Sequence, residues 1–192
     1  DIWPHLTLFD VYERDESKLS AHRAAGFTTA LVSPRRAILG GKGDLVQLGD
    51  DPIRSSIIAA GVTQIVGGGA EVTPESYRTR GYPGSPMGVV AQVRQLYYDA
   101  DWYRRRQAQF ERFPTQVERP AFDPVLEAMG PLLDRREMWI NEANEPNEIH
   151  HALDLAREFN QRVAILGGKE AYKGVDRLKA ERVPVIVSLD WK

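Results

Sequence analysis

The carboxyl-terminal third of the chain alternates short apolar runs with amphipathic stretches, and that alternation predicts three strands joined by helices. Asp123 is placed to cap a helix that carries Pro124 inside its start and covers Val125 to Leu133, and Met138 to Asn141 follows as a short strand. A second helix from Asn147 to Phe159 sets Ile149, Leu153 and Ala156 at helical spacing, and Arg162 to Leu166 is the next strand. Glu170 to Ala180 and Val183 to Ser188 repeat the pair. Strands joined by helices of about 11 to 14 residues run parallel, because parallel neighbours need a crossover and hairpin partners do not. Their near-continuous apolar content means that both faces are covered. An open doubly wound sheet and a closed barrel both satisfy this pattern.

The earlier part is less regular. Glu16 to Ala25 is polar and helix-compatible, with Leu19 and its alanines as an inner face and Gly26 as its stop. Phe27 to Ser33, bounded by Gly26 and Pro34, has the composition of a buried strand. Arg35 to Gly49, with Gly40, Gly41 and Gly43, reads as a loop feeding a short strand over Asp44 to Leu48. These glycines lack the spacing and terminal Lys-Ser/Thr pair of a phosphate-binding loop. Ile57 to Val66 is apolar, and a long loop with Pro74, Gly81, Pro83 and Gly84 follows, of a length that is uncommon without a function. Ser85 and Pro86 then open one long helix to Phe113, whose inner face carries Val89, Val90, Val93, Leu96, Tyr97 and Ala100. The aromatic stripe Tyr97, Tyr98, Trp102 and Tyr103 fits core packing better than a ligand box. The chain thus divides into 1–84, 85–113 and 122–192 within one α/β domain spanning 1–192.

Composition narrows the partners more than it names them. The 192 residues are 42% hydrophobic and 27% charged with a net charge of −2, an ordinary balance for a globular domain. Phosphate binding needs clustered Lys and Arg, so nucleic acid is not an expected partner; Arg104 to Arg106 read as a solvated helix face beside Asp101 and Glu111. With no cysteine, disulfides, thiolate metal sites and cysteine nucleophiles are excluded. The chain opens Asp1-Ile2-Trp3-Pro4 without a basic n-region or a long apolar stretch. The expectation is a soluble cytoplasmic or periplasmic protein, processed or excised, with no membrane partner and with a homo-oligomer allowed.

In parallel α/β sheets function sits at the carboxyl ends of the strands. That rule nominates Asn141 to Glu145, Gly167 to Glu170 and Asp190 to Lys192. Among these, Glu142, Asn144, Lys169 and Asp190 could supply a carboxylate base, an orienting amide and a cation for a developing oxyanion. The competing reading is structural: Asn144 or Asn147 as an N-cap, and Glu145, Glu148 and Glu170 complementing helix dipoles. Of the histidines His5, His22, His150 and His151, none lies in a His-Glu-x-x-His signature or a His-x-His pair. His150 and His151 point about 100° apart on one helix and read as structural. His5, beside the strand-like Leu6 to Phe9, is the one suited to a metal or acid–base site. No Gly-x-Ser-x-Gly elbow is present.

Ala25 to Pro34 followed by Gly40 to Leu48, Tyr82 to Gly88 with Arg94-Gln95 and Asp99-Ala100 downstream, and the terminal alternation through Ala152 to Phe159, Val163 to Gly168, Glu170 to Tyr172 and Val183 to Val187 resemble imidazolonepropionase-like members of the amidohydrolase superfamily. The resemblance implies a (β/α) TIM-type barrel of the metal-dependent hydrolase kind, incomplete at 192 residues against the roughly 250 of a full barrel. It implies cleavage of non-peptide C–N bonds in a small-molecule substrate by metal-activated water, with a divalent metal, zinc foremost, as cofactor. It places Glu142 and Gly167 where the superfamily has histidines ending its fifth and sixth strands, and the His-x-His pair of the first strand before Asp1. Glu142 and His5 are then the candidate metal ligands, and Glu142, Lys169 and Asp190 the candidate catalytic residues. Glycine offers no ligand, so the alternative is a catalytically degenerate barrel module acting as a scaffold or small-ligand binder.

Overall fold

The computed structural model describes residues 2–8, 15–34, 38–67, 83 and 85–188. Asp15 starts α1 (Glu16–Ala24) by accepting the N–H groups of Ser17 and Lys18, and the chain turns through Gly26 into β1 (Thr29–Val32). β2 (Leu39–Gln47) and β3 (Ile57–Val66) follow, with the single turn α2 (Ile53–Ser56) between them. Ser85 accepts the Gly88 N–H at the start of α3 (Pro86–Arg112), where the missing N–H of Pro86 costs nothing. Asp123 caps α4 (Pro124–Ala128) in the same manner; α5 (Gly130–Leu133), β4 (Met138–Ala143), α6 (Pro146–Glu158) and β5 (Val163–Gly167) follow. A 3₁₀ turn (Ala171–Gly174), α7 (Val175–Ala180) and β6 (Val185–Val187) complete the described chain.

The strands form one curled, half-barrel sheet in chain order, β1 to β6. β1, β2 and β3 are antiparallel neighbours, and β3, β4, β5 and β6 are parallel. The three helix-linked strands read from the sequence are therefore side by side and co-directional. The architecture is mixed α/β, with an antiparallel meander where an all-parallel barrel would have further strand–helix units.

Four elements differ in type or bounds from the sequence expectation, and β1, expected to be buried, is half exposed. The glycine-rich stretch is strand: a Cβ on Gly40 would lie 2.8 Å from the Pro34 carbonyl oxygen, one on Gly41 2.7 Å from that of Leu6, and one on Gly43 2.3 Å from Thr63 Oγ1. The glycines thus admit close neighbours to β2 rather than form a loop. Ile57 to Val66, left unassigned by its pattern, is β3. The helix expected over Val125 to Leu133 breaks at Met129, just before Gly130-Pro131, where proline cannot donate a helical hydrogen bond. The third helix begins only at Val175, because Gly174 ends a tighter turn before it.

Two layers of core flank the sheet. Leu39, Val66 and Trp139 pack under Val93, Leu96, Tyr97 and Ala100 of α3, with Met129, Leu132, Leu155 and Ala156 closing the layer. On the opposite, concave face Ile65, Ile140 and Ala164 form a smaller cluster with Met138 and Leu166. The aromatic stripe on α3 divides: Tyr97 and Tyr103 are buried, and Tyr98 and Trp102 are exposed. Among the described residues no helix is long and apolar enough to cross a membrane.

Candidate functional site at the strand tips

Parallel register brings the carboxyl ends of β3 to β6 to one rim: Val66 pairs with Asn141, Ala143 with Gly167, and Gly167 with Val187. Side chains alternate along a strand. Trp139 and Ala143 face the helices, so Glu142 shares the concave face with Ile140. It is half-buried, with Oε2 shielded from solvent. A carboxylate at such a rim belongs to the class of groups that accept and return protons in hydrolysis.

The turn after Glu142 is held by a helix cap. Glu148 Oε2 accepts the N–H of Asn144 at 2.8 Å and of Glu145 at 3.1 Å, and Glu145 occupies the N-cap position of α6. Neither Asn144 nor Asn147 is the cap. Asn144 is released from that duty, and its side chain lies over the end of β5, where a Cβ on Gly167 would come within 2.5 Å of Asn144 Oδ1. That oxygen is buried and accepts no hydrogen bond. Gly167 and Gly168 have φ of +100° and +61°, which side-chain-bearing residues adopt only with strain. The turn they make lets Gly168 N–H reach Ala143 O and Glu170 N–H reach Asn144 O, each at 2.9 Å, tying the two tips together.

Lys169 lies two residues past β5 at the same rim, exposed and without an ion-pair partner among the described residues. Its side chain lines an outer groove with Tyr172, Leu178, Val185 and Val187. Val185 and Val187 pair with Ile165 and Gly167, on the face opposite Glu142. Glu142 and Lys169 therefore share an end of the sheet but not a face. Asp190 lies outside the described residues. His5 sits in the turn Trp3 to Leu6 beside β2, with Leu6 O accepting the Lys42 N–H; its Nδ1 is buried and has no hydrogen-bond partner. Two strands, β2 and β3, separate that segment from β4, a backbone span of roughly 14 Å at the usual strand spacing.

Among the described residues no group of three or more His, Asp or Glu side chains could hold a metal ion. The end of β5 offers only Gly167, and Asn144 fills the space beside it. The described residues by themselves do not make up the zinc site that the sequence resemblance implied.

A polar cluster that spacing could not reveal lies at the other end of the strands. Lys42 of β2 forms an ion pair with Glu137, 95 positions away, with both side chains largely buried. Burial pushes the Glu137 carboxyl above its ordinary pKa, and the Lys42 ammonium acts against that rise. Burial, and then the charge of Glu137, pushes the Tyr97 phenol up as well. Gln64, Tyr97 and Trp139 complete the cluster beneath α3; it is too enclosed to receive substrate. His150 Nδ1 lies 3.0 Å from Arg177 Nη1, in a network where Arg177 also binds Asp154 and Glu181.

No family model and no curated protein matches the chain. Among solved structures, the crystal structure of an amidohydrolase from Thermotoga maritima MSB8 is similar, with a TM-score of 0.84 and 21% sequence identity over 97% of this chain and 48% of that one. At that identity the likeness establishes the fold, which is amidohydrolase-like. The chain spans about half the length of that protein.

Proposed function

We propose that the chain is part of an amidohydrolase-like enzyme that hydrolyses non-peptide carbon–nitrogen bonds in a small molecule bound at the tips of β3 to β6. The observation that carries this reading is Glu142, a half-buried carboxylate on the concave face at the rim of an amidohydrolase-like sheet. Hydrolysis of an amide needs a group that takes a proton from the attacking water and returns one to the departing nitrogen. A single carboxylate performs both transfers in succession. Lys169, exposed at the outer lip, draws anionic substrates towards the rim. Cyclic amides of the imidazolone type are the substrate class that the sequence resemblance favours. Among the described residues, Glu142 is the group at the rim placed to move these protons.

A second reading, a barrel module that binds a small molecule without turnover, is favoured by the Asn144 side chain lying across the tip of β5 at Gly167. The two are separated by incubating the chain and its Glu142→Gln variant with hydantoin, dihydrouracil and linear N-acyl amino acids. Amine or carboxylate release by the wild type, reduced at least ~100-fold by Glu142→Gln with an unchanged circular dichroism spectrum, is the expected outcome. Saturable binding without release supports the second reading. Release that is indifferent to Glu142→Gln removes the proposed role.

A further inference from the structure

Among the described residues, the outer face of α3 stays largely exposed. Val93, Leu96, Tyr97, Ala100 and Tyr103 bury its inner face, and Met87, Ala91, Gln95, Tyr98, Trp102 and Gln109 succeed one another at helical spacing on the opposite side. Met87, Tyr98 and Trp102 are 60%, 58% and 60% exposed, high values for three large apolar side chains on one stripe. Tyr98 is set in place by an edge-on contact with the Phe159 ring.

The charges beside this stripe identify what covers it. Arg94 is engaged by Glu158, while Arg104 and Arg105 are engaged by Asp101. Asp99 and Arg106 flank Trp102 on one side and form no ion pair among the described residues; each is held only by a glutamine, Gln95 and Gln109 respectively. The two lie seven residues apart, two helical turns, with opposite signs. A second α3 laid antiparallel across a two-fold axis beside Trp102 sets Asp99 against the partner's Arg106, and its Arg106 against the partner's Asp99. A parallel arrangement instead sets like charges against each other. A cleft of about 580 Å³ beside Trp102, lined also by Arg106, Arg119 and Phe122, gives the partner's Trp102 ring a place.

We propose that the outer face of α3 is a homodimer interface, in which two copies of this chain pack their long helices antiparallel about Trp102 with reciprocal Asp99–Arg106 pairs. The stripe is self-complementary in charge, which is the requirement of an isologous contact. It lies on the helix surface away from the sheet, so dimerisation leaves the strand tips open and does not depend on the proposed hydrolysis. One helix face is a small interface, so the dimer is expected to be concentration-dependent.

Sedimentation velocity over a concentration series tests this on the 192-residue chain and on Trp102→Glu, Trp102→Ala, Arg106→Asp and Asp99→Arg/Arg106→Asp, each with its fold checked by circular dichroism. The expected results are a concentration-dependent dimer for the wild type and a monomer for Trp102→Glu. Arg106→Asp, which opposes two aspartates twice, is expected to raise Kd about tenfold or more, and the double reversal to return it to within about threefold of wild type. A wild-type chain that stays monomeric at about 200 µM overturns the proposal. So does a dimer that survives both Trp102 substitutions, or a double reversal no tighter than Arg106→Asp alone.

Discussion

Glu137 shows how one carboxyl can make stability depend on pH. It is 4% exposed in its side chain and paired with Lys42, and desolvation raises its pKa from the ordinary 4.5. A carboxyl with a raised native pKa takes up protons on folding. Its contribution is therefore complete below 4.5 and is lost as pH climbs through the higher native value. Urea midpoints measured from pH 4 to pH 8 are expected to show this decline, and Glu137→Gln to flatten it. Lys42→Met removes the only ion-pair partner described for that carboxylate and is expected to cost on the order of 3 kcal/mol near neutral pH. The cost shrinks towards pH 4, where Glu137 protonates instead. A Lys42→Met loss that is the same at both pH values contradicts the assignment.

At the scale of elements, the rim depends on how α6 begins. Glu148 accepts two backbone N–H groups from the turn carrying Asn144 and Glu145, so Glu148→Ala leaves both without an acceptor. The expected loss is about 1 kcal/mol in urea denaturation, accompanied by weaker ligand binding at the rim, because the turn after Glu142 loosens. A variant equal to wild type in both respects removes this cap from the account. The parallel strands β4, β5 and β6 were legible because each is a short apolar run preceded by a helix. The direction of β1 and β2 was not, because antiparallel pairing there rests on Gly40, Gly41 and Gly43 admitting Pro34, Leu6 and Thr63, contacts that no local pattern encodes. Glu142 was nominated from its place at a strand end. Lys169 was nominated on the same ground, but a strand end fixes only the rim, and the glycine turn before Lys169 carries its side chain to the other face. The Lys42–Glu137 pair spans too much sequence to be read from spacing at all.

For the molecule as a whole, the mixed sheet leaves one apolar, concave face rimmed by the tips of four parallel strands, and the helix layer covers the other. Fold likeness extends over nearly the whole chain, whereas the donors expected of a metal-dependent hydrolase are not gathered among its described residues. The described residues show the curled sheet and, at its rim, the half-buried carboxylate of Glu142. The proposed hydrolysis requires a small amide to bind at those strand tips. Hydrogen–deuterium exchange of the chain, with and without the amide giving the largest response in the panel, addresses that directly. Slowed exchange confined to residues 141–145 and 167–170 is the predicted result; protection at the α3 cleft around Trp102 and Phe122, with the strand tips unchanged, contradicts it.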